Sequence, residues 1–186
     1  MQNTIVDDDE TNETILKAKT YASISHAKAN HKYDGKPYSI HLTATYQFAK
    51  QFINLIPERD RANVLAACWT HDLIEDARQT YNDVKRGTNT VIAEITYALT
   101  NPKGKTRDER QSILYYAGIR QTKYATFVKL CDRMANIKYS NMMKSPMLGT
   151  YRIENRKFHD ELYELEYEQM FAHMNYLLKT NLNNKK

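Results

Sequence analysis

Residues 64–76 read VLAACWTHDLIED and join an apolar run to a group of ionisable side chains. Its first six residues, 64–69, are all apolar, and they are followed closely by the adjacent pair His71 and Asp72. An apolar run of this length inside a segment of helical periodicity is typical of a helix at the centre of a domain. The sequence therefore predicts a central helix over 58–69 that ends at a His-Asp pair.

The rest of the chain also favours helices. Only 5 Gly and 4 Pro interrupt the 186 residues, and the apolar residues recur with a period near 3.6. We predict an all-α fold, a single helical bundle, with a polar loop over 31–37 and a short helix capped by Thr80. The other predicted helices span 13–30, 39–55, 58–69, 90–100, 107–119, 123–142 and 150–178.

The length and composition predict one domain. A chain of 186 residues is long enough to bury a large core, and we place the domain at 13–178, between an acidic tail over 1–12 and a basic tail over 179–186. No segment approaches the roughly 20 apolar residues of a membrane span, and the N-terminus lacks the features of a signal peptide. We expect a cytoplasmic protein without a membrane partner. A homo-oligomer is left open.

The net charge of +5 is compatible with several partners. Because the basic residues are spread along the chain rather than clustered on one segment, the charge does not favour nucleic acid. It suits a pocket for a phosphorylated small molecule equally well. Cys68 and Cys131 lie in apolar helical patterns, and one pair in a chain of this length indicates small buried side chains rather than a disulfide framework.

Two imidazoles and two carboxylates form the candidate metal site: His41, His71, Asp72 and Asp132. Adjacent helix positions differ by about 100° around the axis, so His71 and Asp72 can both lean toward an ion beside their helix. Asp132 lies in the mostly apolar stretch 127–134, and a carboxylate buried there needs a cation. The mixed ligand set suits Mn²⁺ or Fe²⁺ better than Mg²⁺ or Zn²⁺. We interpret His26, His31, His159 and His173 as non-ligands.

Two further carboxylates follow the His-Asp pair. Glu75 lies one turn after His71 and Asp76 one turn after Asp72, if helical geometry continues past the pair. Either could orient or deprotonate a water molecule beside the metal. A set of basic residues forms a second candidate feature, for substrate phosphates or as a solvated helix start: Lys103, Lys105, Arg107 and Arg110.

Three segments, in this order, resemble motifs of the HD-domain phosphohydrolases. The family's Gly-x-Pro-Tyr-x-x-His is matched at 35–41, its His-Asp-x-x-Glu-Asp at 71–76 and its Lys-Leu-x-Asp-Arg-x-x-Asn at 129–136. The resemblance covers about 15–136 and is closest to the hydrolase domain of the Rel/SpoT enzymes and to small stand-alone alarmone hydrolases. It implies an HD-type bundle that removes the 3′-pyrophosphate of guanosine alarmones such as (p)ppGpp by attack of a metal-activated water.

The resemblance also implies roles for single residues. The metal, by this likeness Mn²⁺, would be bound by His41, His71, Asp72 and Asp132. Glu75 and Asp76 would position and activate the attacking water. The nucleotide substrate would be contacted by Asn136, Arg133 and the loop residues Lys32, Tyr33 and Asp34.

Two other interpretations remain open. An HD-type nucleotidase that cleaves another phosphorylated nucleotide also resembles this chain, and it uses a Glu at the position of Glu75 without requiring Asp76. A non-catalytic nucleotide-binding module would keep the scaffold without the reaction. The complete metal quartet with both acids favours an enzyme.

Overall fold

The computed structural model describes residues 12–180. The predicted tails over 1–12 and 179–186 lie outside the described residues, apart from Asn12, Lys179 and Thr180. The assignment of a domain to 13–178 stays a prediction. The α-helices in chain order are α1 (Glu13–Lys28), α2 (Ser39–Gln51), α3 (Glu58–Thr70), α4 (Leu73–Asp76), α5 (Tyr81–Gly87), α6 (Thr90–Leu99), α7 (Arg107–Arg110), α8 (Ile113–Gln121), α9 (Ala125–Met142), α10 (Met147–Leu162) and α11 (Glu168–Lys179).

Helix α9 forms the centre of the bundle and packs against α2, α10 and α11. Thirteen of its residues are buried, and they include both apolar side chains and Asp132. Helix α3 packs against α1, α2 and α6, and its last seven residues are all buried. The central position predicted for the VLAACW run is confirmed, as is the all-α fold. Within residues 12–180, no helix is long and apolar enough to span a membrane.

Side-chain caps fix where many of the helices begin. The side chains of Asn12, Asn89 and Ser112 accept hydrogen bonds from backbone amides in the first turns of α1, α6 and α8. Thr80 and Thr106 form capping boxes with Asp83 and Glu109 at α5 and α7. These bonds satisfy amide groups that the first turn of a helix leaves without partners.

Two long helices predicted from the periodicity are each broken in the structure. The prediction of one continuous helix over 107–119 is wrong. Gln111 is the C-cap of α7, and Ser112 caps the start of α8. The prediction over 150–178 is wrong in the same way. Helix α10 ends at Leu162, and a 3₁₀ turn over Leu165–Tyr167 precedes α11.

The predicted loop over 31–37 contains a small antiparallel hairpin, β1 (Lys32–Tyr33) and β2 (Lys36–Pro37). Asp34 and Gly35 form its turn with φ values of 51° and 75°. Positive φ at both central positions is the conformation that favours an Asp-Gly pair in a two-residue hairpin turn. The hairpin carries Tyr33 toward α9, where the Tyr33 hydroxyl donates to Asn136.

A stack of three rings joins α1 to the start of α2. Tyr38 stacks on His26 and His31, with ring centroids 4.4 Å and 4.0 Å away. His26 is 1% exposed, and its Nδ1 lies 3.1 Å from Nδ1 of His31. Burial lowers the pKa of His26 to about 4, against the opposing charge of Asp72. The folded protein therefore holds His26 neutral.

This burial predicts a pH-dependent loss of stability. Folding depresses the pKa of His26 from 6.5 to about 4. The contribution of the neutral His26 to the free energy of unfolding is therefore complete above pH 6.5 and is lost as the pH falls toward 4. By pH 4.5 the loss should reach roughly 2 to 3 kcal/mol. Urea unfolding from pH 7 to 4.5 should show this extra loss in the wild type relative to His26→Gln. The partly exposed His159→Gln serves as the control, and parallel curves for wild type and His26→Gln would contradict the prediction.

Candidate metal centre

Three helices bring the predicted quartet to one point. His41 lies in the first turn of α2, Asp132 lies within α9, and these helices pack against each other and against α3. His71 and Asp72 occupy the turn between α3 and α4, where the φ of Asp72 is −101°. The helix thus breaks at the pair, and helical geometry does not continue past it unchanged.

The four predicted ligands converge. Nε2 of His41 lies 3.2 Å from Nε2 of His71 and 3.2 Å from Oδ1 of Asp132. Oδ2 of Asp72 lies 2.9 Å from Nε2 of His71 and 3.6 Å from Nε2 of His41. Ligand atoms of His41, His71 and Asp132 all lie within 4.8 Å of one another. Both imidazoles and Asp132 are buried.

The donor set fits a divalent cation. Nδ1 of His71 lies 2.9 Å from the carbonyl oxygen of Cys68, which can only accept, so a neutral His71 presents an unprotonated Nε2 to the centre. Burial lowers the pKa of His71, but the charges of Asp72 and Asp132 outweigh it and raise that pKa well above its ordinary value. Positive charge at the point where a metal would bind therefore stabilises the two carboxylates. A mixed nitrogen and oxygen set suits a first-row divalent ion such as Mn²⁺.

A second layer of side chains holds the carboxylates. The Tyr38 hydroxyl donates a hydrogen bond to Oδ2 of Asp72. Nζ of Lys129 donates to Oδ2 of Asp132 over 3.0 Å, and Nδ2 of Asn136 donates to its Oδ1 over 2.6 Å. Burial raises the pKa of Asp132, but Lys129 and the imidazoles outweigh it and hold that pKa well below its usual range. Such outer bonds fix the orientation of ligands.

The two acidic residues that follow the His-Asp pair, Glu75 and Asp76, lie in different surroundings. Glu75 lines the cavity beside the quartet. Its carboxylate accepts a hydrogen bond of 3.1 Å from the backbone N of Asn101 and one of 3.0 Å from Nδ2 of the same residue. The Asp76 carboxylate lies 3.8 Å from Nε2 of His31 and is not among the described residues that line the cavity. Burial, together with the charges of Asp72 and Glu75, raises the pKa of Asp76 to about 7.

A cavity of about 210 Å³ opens beside the quartet. Among the four basic residues predicted to meet phosphates, Arg107 lines it, whereas the described lining does not include Lys103, Lys105 or Arg110. Two more basic side chains, Lys129 and Arg133, line the same space. The remaining lining residues are mostly aromatic or carry amides: Tyr38, Asn101, Gln111, Tyr115, Tyr116, Asn136, Tyr151 and Phe158.

The predicted substrate loop is only partly brought to the quartet. Tyr33 stacks on His41 with centroids 5.0 Å apart, and its hydroxyl donates to Oδ1 of Asn136 over 2.8 Å. Asp34 is exposed and accepts from the Tyr139 hydroxyl over 2.8 Å, and Lys32 is also exposed. The hairpin therefore covers one side of His41 with Tyr33.

Two residues at the site, Lys129 and Glu154, were not predicted from the sequence. Lys129 lies three positions before Asp132 in an apolar stretch. On a helix, residues three positions apart lie on the same face, so this spacing indicates an ion pair between the two side chains. Glu154 bonds both Arg107 and Arg133. A long-range contact of this kind leaves no signal in the periodicity of α10.

The sequence matches no protein-family model. Likewise, no curated protein matches it. The fold, however, is similar to that of a solved metazoan ortholog of SpoT, described as hydrolysing ppGpp and playing a role in starvation responses, with a TM-score of 0.68. The two chains are 17% identical over 89% of this chain and 95% of the other. The predicted HD-type helical bundle is confirmed.

The geometry predicts that the quartet binds one divalent ion. We expect Asp132→Ala to abolish tight Mn²⁺ binding, because it removes a ligand and leaves Lys129 beside the centre. At a Mn²⁺ concentration of about 100 Kd, the ion should stabilise the wild type by roughly 2.7 kcal/mol and the variant by nothing measurable. Thermal unfolding with and without Mn²⁺ measures this difference.

Asp160→Ala is the matched control, because Asp160 is exposed and lies outside the site. It should retain the full Mn²⁺-dependent stabilisation. An Asp132→Ala protein that folds and binds Mn²⁺ as tightly as the wild type would contradict the assignment.

Proposed function

We propose that the protein is a metal-dependent phosphohydrolase that removes the 3′-pyrophosphate of guanosine alarmones such as (p)ppGpp. The observation that carries the proposal is the convergence of His41, His71, Asp72 and Asp132 at the edge of a cavity that also holds Glu75 and three basic side chains. The ion we propose is Mn²⁺. When bound, such an ion lowers the pKa of water and polarises a phosphoryl group.

The chain's own residues would supply the remaining chemistry. Glu75 is held by Asn101 on the wall of the cavity, where its carboxylate can orient a water molecule and accept its proton. Asp76 would assist from the side of His31. Lys129, which lies beside the quartet and bonds Asp132, would offset part of the charge that develops on the phosphate oxygens.

The substrate assignment is supported by the fold and by the site wall. The metazoan ortholog of SpoT, with the same fold, hydrolyses ppGpp. In our proposal Arg133 and Asn136 contact the nucleotide, and the hairpin residues Lys32, Tyr33 and Asp34 face its base. A planar ring such as that of Tyr33, already stacked on His41, is suited to contact with a base.

One observation favours a second candidate, an HD-type nucleotidase acting on another phosphorylated nucleotide. Asp76 lies beside His31 and does not line the described cavity, whereas Glu75 does. A nucleotidase of this kind uses a Glu at the position of Glu75 and does not require Asp76. The rate effect of Asp76 therefore separates the two candidates.

We expect Glu75→Gln and Asp76→Asn each to lower kcat about 10²-fold or more, because each removes a positioned acid or base. Mn²⁺ should remain bound in both variants, as measured by calorimetry. Glu58→Gln, an exposed substitution at the start of α3, is the control with unchanged kcat. A normal rate in Asp76→Asn together with a slow Glu75→Gln would favour the nucleotidase.

A substrate panel tests the function itself. The Mn²⁺-loaded protein is incubated with (p)ppGpp, (p)ppApp, NADPH and deoxynucleoside monophosphates, and the released pyrophosphate and phosphate are measured. We expect pyrophosphate from (p)ppGpp at the highest kcat/KM. Phosphate from monophosphates alone would establish the second candidate, and no release from any of these nucleotides would overturn the enzyme proposal.

A further inference from the structure

Two guanidinium groups share one carboxylate on the cavity wall. Nη1 of Arg133 donates to Oε2 of Glu154 over 2.9 Å. Arg107 donates to the same carboxylate through Nε and, over 3.2 Å, through Nη2. Two positive charges against one negative charge leave a net charge of +1 in this cluster. Arg107 and Arg133 both line the cavity that contains the metal quartet.

Arg133 has an unusual environment for a charged side chain. It is 6% exposed, and its guanidinium lies 4.8 Å from the ring centroid of Tyr151 and 4.5 Å from that of Phe158. Its Nη2 is buried and has no hydrogen-bond partner among the described residues. A buried donor without a partner destabilises the folded protein, and a charged donor does so more than a neutral one. A ligand that brings an acceptor oxygen into the cavity would remove this destabilisation.

We propose that Arg133, Arg107 and Glu154 form a subsite for a second, non-reacting phosphate group of the substrate. The inference rests on the proposed function in one respect, namely that the reacting phosphate lies at the metal quartet. Because quartet and cluster face the same cavity, a nucleotide phosphorylated at two separate positions would reach both. A nucleoside monophosphate would leave Nη2 of Arg133 without an acceptor.

Glu154 is the positioning residue of this subsite. It accepts from both guanidinium groups, and so it holds two like charges next to each other and fixes the planes of their forks. With Nη1 of Arg133 engaged, Nη2 is the donor left for the ligand. Planar donors held in this way recognise phosphate oxygens better than a flexible lysine ammonium does.

The test compares two substrates that differ only in the second phosphate. Steady-state kinetics are measured for ppGpp and for its analogue with a free 5′-hydroxyl and an intact 3′-diphosphate. We expect the wild type to have a KM for ppGpp about tenfold or more below that for the analogue, since hydrogen bonds to a charged group are stronger than those between neutral groups. In Arg133→Gln the two KM values should become similar, because the variant lacks the guanidinium that distinguishes the two compounds.

Three further variants complete the comparison. Arg156→Gln removes an equal charge from an exposed position on α10 and should keep the wild-type preference. Arg133→Lys keeps the charge without the fork and should lose the preference. Arg107→Gln changes a more exposed side chain and decides the question if the Arg133 variants do not fold. An undiminished preference for ppGpp in a folded Arg133→Gln protein, or in Arg107→Gln if that variant decides, overturns the subsite.

Failure of the proposed function gives a different result. If the wild type hydrolyses neither compound, the proposed function falls and the subsite is tested by calorimetric binding of GDP and guanosine to the same proteins. A larger loss of affinity for GDP than for guanosine in Arg133→Gln supports the subsite. Equal GDP affinity in wild type and variant overturns it.

Discussion

Two carboxylates, the buried Asp132 and the half-buried Asp72, meet at one point of the bundle and constrain the rest of the structure. Asp72 and Asp132 face two imidazoles inside the bundle, where unpaired negative charge is strongly destabilising. Lys129 balances part of this negative charge through its bond to Asp132. The negative charge that remains on Asp72 and Asp132 raises the pKa of His71. The helices α2, α3 and α9 therefore meet at a point where a divalent cation would satisfy all four side chains.

The layers around this point explain why the fold holds the side chains in place. Tyr38 bonds Asp72 and is itself packed against both His26 and His31, so α1 supports the site without contributing a ligand. On the other side, Asn136 bonds both Asp132 and the hairpin residue Tyr33. The cavity lies between these supports and the Arg107–Glu154–Arg133 cluster. Recognition and chemistry would thus share one wall of the bundle.

Much of this could be predicted from the sequence. An apolar run that ends at His71 and Asp72, and a carboxylate inside the apolar stretch around Asp132, together indicate buried charge that needs a cation. The breaks at Ser112 and after Leu162 could not be predicted, because neither carries the Gly or Pro that usually marks a helix end. The different surroundings of Glu75 and Asp76 depend on the turn at the His-Asp pair, which periodicity does not reveal. The role of Glu154 arises from contacts across the bundle.

The metal centre is tested by an anomalous diffraction measurement at the manganese edge on crystals of the full chain grown with Mn²⁺. We expect one strong anomalous peak per chain, within bonding distance of Nε2 of His41 and His71 and of carboxylate oxygens of Asp72 and Asp132. A peak at another location, or no peak with the four side chains arranged as described, would contradict it.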